Sequence, residues 1–267
     1  MIAAMPGKRP ALVAFENVSL LRGGRRVLDG VSFEIGVGEN VAILGPNGSG
    51  KSSLVKLLTR ELYPLANGVR SSLRVLGRDR WELFELRRHL GIVSPELQDT
   101  FAQGITAREA VLSGFFSSVG LWTNHRVTSA MAASADRALR RLDVAPLADR
   151  PMNEMSAGEA RRTLIARALV HGPRALVLDE PMTSLDLRAH RDFRETLRKL
   201  ARGGTNVVLV THALEDVIPE ISRVVLVRDG RVFKDGPAEE LLSGRTLSEL
   251  YRMPVRVERA GGYYHVS

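Results

Sequence analysis

Apolar residues in this chain fall in short runs that alternate with stretches of helical period. Between Ala11 and Glu39 polar and apolar positions alternate on either side of "RGGRR", which predicts two antiparallel strands joined by a tight turn. "ENVAILG" then reads as a buried strand, followed by a glycine-rich loop and a helix over "GKSSLVKLLTREL". "SSLRVLGRDRWEL" alternates again and predicts another strand ahead of the helix "ELFELRRHL". From about Gln98 to Ala148 the pattern is mostly helical, and "MNEMSAGEARRTLIARALV" (Met152 to Val170) reads as a further helix. Strand-like runs return in "ALVLDEP", "NVVLVTH" and "RVVLVRDGRVFKDG", the last a hairpin turning at Asp229-Gly230. Strands alternating with helices predict an α/β fold. Its sheet is mostly parallel and covered on both faces, with an N-terminal antiparallel β-subdomain and an inserted α-helical block. "AEELLSG" and "LSELYRM" are short terminal helices, and "VRVERAGGYYHVS" is either an added hairpin or a loose tail.

Composition narrows the class. With 267 residues and 44% hydrophobic content, the chain sustains one large domain or two modest ones. No apolar run approaches the roughly 18–20 residues of a membrane helix. "MIAAMPGKRPALVAF" is broken by Pro6 and Pro10, so no export signal is expected. The absence of cysteine excludes disulfides and thiolate–metal sites. The expectation is a soluble, intracellular protein. A net charge of +8 raises the question of nucleic acid. Yet the basic residues are mostly arginines spread along helices, in "ELRRHL", "RALRRL" and "DFRETLRKLARGG", with local clusters only in "GGRRV" and "GKRP". Aromatics at 5% leave few stacking platforms. Solvated helix faces account for most of this charge, and an anionic ligand or acidic partner accounts for it as well as DNA or RNA does.

The chemistry begins at "GPNGSGKS", Gly45 to Ser52, which matches G-x-x-x-x-G-K-[ST] between a strand and a helix and predicts a P-loop NTPase core. Gly45, Gly48 and Gly50 let the backbone curl so that successive N–H groups point at phosphates. The phosphate cradle then comprises Gly45, Pro46, Asn47, Gly48, Ser49, Gly50, Lys51, Ser52 and Ser53, with Lys51 on the β- and γ-phosphates and Ser52 on Mg²⁺. "ALVLDEP" delivers Asp179 and Glu180 at a strand's C-terminal end, the edge where open α/β sheets bind ligands. Asp179 suits Mg²⁺, and Glu180 suits the general base for an attacking water. Ser156-x-x-Glu159 is a capping box, and Gly158 beside it exposes helix N-terminal N–H groups that suit an anion.

Taken together, the phosphate loop, "MSAGE", "LVLDEP" about twenty residues on, "SLD" and a strand-end histidine stand in the order that resembles an ABC (ATP-binding cassette) ATPase. The resemblance covers roughly Leu12 to Gly236. It implies an ABC ATPase domain at 11–240, with a helical subdomain inserted at about 98–170, and a C-terminal extension at 241–267. It implies further that Ser156, Gly158 and Glu159 face the γ-phosphate of ATP held by a second cassette in a head-to-tail pair. Asp186 of "SLD" would lie in the loop that crosses between the two sites, although its residues alone fit a helix N-cap equally well, and His212 would contact the γ-phosphate. His89, His125, His171, His190 and His265 carry no such implication.

The pattern departs from the family in four places. Ala157 stands for the first glycine of the usual Leu-Ser-Gly-Gly-Gln signature, and Glu159 stands for its glutamine. Glu159 brings a negative charge toward a phosphate unless it caps the helix instead. Arg22 in "SLLRGGRR" occupies the place of an adenine-stacking tyrosine; a guanidinium can stack on a purine, and a plain surface arginine also fits. The metal-contacting glutamine is expected after "LGIV", where "SPELQDTF" aligns Pro95, with Glu96 and Gln98 close by; Gln98 is the choice. This altered loop also resembles that of the molybdate-associated cassette proteins.

Two functions follow from the resemblance. The first is the ATP-hydrolysing subunit of a transporter, held at the inner face of the cell membrane by a permease that is a separate chain and paired with a second cassette, identical or closely homologous. The second is a soluble ABC ATPase acting on nucleic acid or the ribosome, a class whose members usually carry two cassettes in one chain. A binding module without hydrolysis would lack Glu180, which is present.

Overall fold

The computed structural model describes residues 10–66, 70–101 and 104–266, leaving out the side chains of residues 98 and 99. Most of the "GKRP" cluster, residues 7–9, lies outside the described residues. The chain divides into two units: residues up to Leu83 together with those from Gly204 on, and Phe84–Gly203. In chain order the opening segment forms β1 (Ala11–Arg22), β2 (Arg25–Gly36), β3 (Val41–Leu44), α1 (Lys51–Leu58) and β4 (Ser72–Val75). Next come α2 (Leu83–His89), β5 (Leu90–Val93), α3 (Pro95–Thr100), α4 (Ala107–Ser113) and α5 (Ser129–Arg141). They are followed by α6 (Ala157–Leu169), β6 (Ala175–Asp179) and α7 (Leu187–Arg202). The closing segment forms β7 (Asn206–Thr211), β8 (Arg223–Arg228), β9 (Arg231–Pro237), α8 (Ala238–Leu241), α9 (Gly244–Tyr251), β10 (Val257–Ala260) and β11 (Tyr263–Val266).

In the first unit β1 and β2 pair antiparallel around a two-residue Gly23-Gly24 turn, and β4 adds to the other edge of β1. Phe15 and Phe33 face one another across that pair with ring centroids 4.7 Å apart. A second sheet has β3 between β7 and β8, both parallel to it, and β9 returning antiparallel through the Asp229-Gly230 turn. Every residue of β3 and β7 is buried. A strand with neighbours in its own sheet and cover on both faces has no wet side, so its sequence runs continuously apolar rather than alternating. β10 and β11 pair antiparallel and bury Tyr264, so the C-terminal "VRVERAGGYYHVS" is a hairpin, not a tail.

In the second unit β5 and β6 are parallel, with Val93 level with Leu178. Helices α4, α5 and α6 pack through Ala107, Val111, Leu139, Leu164 and Ile165, all at most 1% exposed. The helix expected from Met152 starts later. Met152–Glu154 is a single 3-10 turn, Met155 is extended, and α6 begins at Ala157. The capping box sets that start: Ser156 accepts from the Glu159 N–H while the Glu159 carboxylate takes the Ser156 N–H.

Candidate active site

The phosphate loop leaves β3 between its two parallel neighbours. Leu44 is level with Thr211 of β7 and with Leu226 of β8, so Gly45 emerges between two parallel neighbours. A Cβ on Gly45 would stand 2.1 Å from the Val227 carbonyl oxygen, so no side chain fits at this position. Gly50 caps α1 at φ 103°, a left-handed conformation that favours glycine, with Leu28 of β2 pressed against it. Among the described residues no side chain caps α1, and its first turn carries no acid. The positive end of the helix dipole and its N–H groups are thereby directed at the loop, the arrangement that takes a phosphate.

Lys51 is 4% exposed, and its Nζ donates to the carbonyls of Gly45 at 2.8 Å and Pro46 at 3.1 Å. The ammonium thus lies along the inside of the loop instead of reaching into solvent. The buried Ser49 Oγ has no hydrogen-bond partner among the described residues. A buried hydroxyl without a partner costs about 1–3 kcal/mol, a cost an arriving phosphate oxygen would remove. Ser52 and Ser53 open α1 beside Lys51. These donors fit a nucleotide's phosphates. Arg22 is exposed at the end of β1, opposite Arg25 in the hairpin whose β2 strand carries Leu28 to Gly50.

His212 follows Thr211, the last residue of β7, which is level with Leu44. Gly45 and His212 therefore leave the sheet at one edge, a single strand spacing of about 4.8 Å apart in the pairing direction. The His212 carbonyl accepts from the Tyr251 hydroxyl at 3.0 Å.

In the second unit, β6 ends on Asp179, 3% exposed, and Glu180 follows at φ 46°. A glutamate in the left-handed region is uncommon and needs support. Arg161 of α6 supplies it: this buried side chain donates through Nη1 to the Pro181 carbonyl and, at 3.4 Å, to the Glu180 carbonyl. Sequence reasoning missed Arg161, because arginines on helices were assigned to solvated faces; the signal available was its place in a stripe with Ala160, Leu164 and Ile165. α3 leaves the end of β5 one strand from Asp179, and it contains Gln98, whose side chain lies outside the described residues.

Two helix N-termini meet elsewhere in the same unit. Ser156 and Ala157 are exposed, and Gly158 lies against Ala189 of α7. Asp186 caps α7 by accepting from the Ala189 N–H at 2.8 Å, and Leu187 beside it is 89% exposed. The Glu159 carboxylate accepts from the Ser156 N–H at 2.8 Å and from its Oγ at 2.9 Å. That backbone bond above all holds its carboxyl below the usual range, so the charge is spent on the cap.

The ABC transporter family matches residues 28–183, which run from β2 past Glu180. The chain belongs to that family. The ABC transporter ATP-binding protein YlmA of Bacillus subtilis is 34% identical over 92% of this chain and 93% of its own. The hemin import ATP-binding protein HmuV of Streptomyces coelicolor is 37% identical over 95% of this chain and 87% of its own. Among solved structures, CbiO1 from Clostridium perfringens, part of the transporter complex cbiONQ, superposes with a TM-score of 0.74 at 25% identity, covering 90% of this chain and 94% of that one. The protein is thus an ATP-binding, ATP-hydrolysing cassette of ABC type, and the α/β P-loop architecture expected from the sequence is the one found.

The nucleic-acid alternative finds no support. The relatives are transporter subunits, and many arginines are engaged with acids: Arg223 with Glu39 and Asp235, Arg108 with Asp136 and Asp149, Arg26 and Arg231 with Asp29. No described helix is long and apolar enough to cross a membrane.

Proposed function

We propose that two copies of this cassette close head to tail over two ATP molecules and so drive a separate membrane permease, with the pair lying against the inner face of the membrane. The observation that carries the reading is the phosphate loop, with the buried Lys51 Nζ along its inside and, among the described residues, no side-chain cap on α1 and no partner for Ser49 Oγ. Lys51 and the backbone from Gly45 to Ser52 hold the phosphates, and Ser53 and Arg22 complete the nucleotide's surroundings. Ser156, Gly158 and Glu159 present their helix end to the nucleotide of the partner copy, and Asp186 lines the crossing between sites. One helix end is worth only about 0.3–2 kcal/mol toward an anion, so it serves as a clamp closing a site built by the other copy.

Hydrolysis then follows from the groups at the two strand edges. A water oxygen attacks the γ-phosphorus, its proton passes to the Glu180 carboxylate, and the bond from that phosphorus to the β–γ bridging oxygen breaks, releasing ADP. His212 contacts the γ-phosphate during this step. Ser52, Asp179 and Gln98 are the residues that would hold Mg²⁺, which when bound neutralises phosphate charge. The described residues contain no cluster of three acids or histidines. The Ser52 hydroxyl at the start of α1 and the Asp179 carboxylate at the end of β6 are each an oxygen donor of the kind Mg²⁺ takes alongside phosphate and water. The 37% identity to a hemin import subunit supports import as the direction.

Glu180→Gln tests the reading. The variant is expected to retain ATP binding, lose about 100- to 10,000-fold in turnover, and accumulate as a dimer by light scattering when saturated with magnesium nucleotide. Wild-type turnover by that variant would refute Glu180 as the base, and a strictly monomeric nucleotide-saturated variant would refute the pair.

A further inference from the structure

The C-terminal extension is folded over the segment that carries His212. Leu44 and Thr211 form the last rung between β3 and β7, and beyond it the His212 carbonyl is taken by the Tyr251 hydroxyl at 3.0 Å. β11 packs on the single turn Leu214–Asp216, and the Val266 N–H donates to Glu215 Oε1 at 3.3 Å. The hairpin's Gly262 abuts Pro219, where an added methyl would come within 3.1 Å of the ring. From the strand side, Thr211 Oγ1 accepts from the Ala213 N–H at 3.0 Å and donates to Asp216 Oδ2 at 2.5 Å. The turn after His212 is thus fastened at both ends.

Tyr251 is itself held. It ends α9, whose Leu247 and Leu250 are buried, and Arg228 of β8 donates to the Glu249 carbonyl at 2.7 Å. Lys234 of β9 pairs with the Glu249 carboxylate at 2.9 Å. The sheet that flanks the phosphate loop is therefore connected through α9 to the His212 peptide. Burial, with the Glu215 carboxylate as a second cause, pushes the Tyr251 phenol up to about 12, so the hydroxyl remains a donor wherever the protein is assayed.

We propose that Tyr251 is a positioning residue for ATP hydrolysis: its hydroxyl, carried by α9, fixes the His212 peptide and with it the imidazole at the terminal phosphate. This rests on His212 as the γ-phosphate contact, and the experiment separates the two claims. Four forms of the full chain are compared in steady-state magnesium-ATP hydrolysis: wild type, Tyr251→Phe, His212→Ala and the double variant. Tyr251→Phe keeps the ring and loses one hydrogen bond. It is expected to lower kcat about 3- to 10-fold with KM for ATP within about twofold of wild type. Backbone amides of residues 212–217 are expected to exchange hydrogen faster in this variant.

In the His212→Ala background the same change is expected to cost nothing more, since there is no imidazole left to place. Wild-type kcat in Tyr251→Phe overturns the proposal. So does an equal loss in both backgrounds, which marks a general structural role. Full turnover by His212→Ala refutes the reading of His212 itself, whatever Tyr251→Phe does.

Discussion

Arg161→Ala tests how the proposed base is held. The arginine is 5% exposed and donates to the Pro181 and Glu180 carbonyls, the second at 3.4 Å. A charge-assisted hydrogen bond contributes about 1.5–3 kcal/mol, and the longer of these two belongs at the weak end. The aliphatic stem adds packing, while removing a buried guanidinium relieves a desolvation cost. The balance is a loss of about 2–4 kcal/mol, which for a chain of this size lowers the melting temperature by roughly 4–16 °C.

A catalytic loss follows separately. Glu180 sits at φ 46°, a conformation that costs about 1–3 kcal/mol and persists only where its surroundings enforce it. Without the arginine the backbone relaxes and the carboxylate leaves its place; a 1 Å displacement of such a group costs about 100-fold. The assay pairs differential scanning fluorimetry with ATP turnover, using Arg161→Lys as an intermediate whose single point charge reaches one carbonyl. A variant that melts like wild type refutes the stabilising bonds. One that melts early yet turns over at the wild-type rate refutes the link from Arg161 to the Glu180 conformation.

Two further changes probe the phosphate end and the signature helix. Lys51→Ala removes the ammonium bonded to the Gly45 and Pro46 carbonyls and is expected to weaken ATP binding about 10- to 100-fold by isothermal titration; undiminished affinity refutes its role on the phosphates. Glu159→Ala opens the capping box of α6 and is expected to cost about 0.5–2 kcal/mol at neutral pH. The Glu159 carboxyl is depressed by the Ser156 backbone N–H, so this stability is fully present above its ordinary value of 4.5 and is lost as pH falls through the lower folded value. Denaturant midpoints at neutral and acid pH should therefore converge for wild type and variant, and a gap of constant size refutes the charged cap.

What the sequence made legible was whatever is encoded by neighbours in the chain. The phosphate loop is eight consecutive residues, the α6 cap is a pair three apart, and the hairpins turn at Gly23-Gly24 and Asp229-Gly230. Each is a backbone conformation specified by the residues that adopt it, so it appears as a local pattern. The start of the Met152 helix was misplaced because a 3-10 turn and the first turn of an α-helix look alike in an apolar pattern, and only the Ser156 cap separates them. The Arg161 bonds reach a carbonyl 20 residues away and the Tyr251 bond one 39 residues away; the apolar stripe marks Arg161 as buried, but no local pattern names the partner of either.

That division follows the chemistry. Binding a triphosphate needs many modest donors in a row, and consecutive backbone amides supply them wherever the chain is allowed to curl. Acting on the terminal phosphate needs single side chains at fixed places. Glu180 and His212 each stand one residue past the end of a buried parallel strand, where ladder bonds stop and the backbone would otherwise be free to swing. Each is caught there by one side chain from a distant helix, Arg161 of α6 for Glu180 and Tyr251 of α9 for His212. A strand delivers a residue to the edge of the sheet but cannot aim it, because the regular bonds that fix the strand end one residue too early. Aiming therefore falls to long-range bonds onto the delivered residue's own carbonyl. Such bonds fasten the peptide, not the side chain proposed to meet the phosphate.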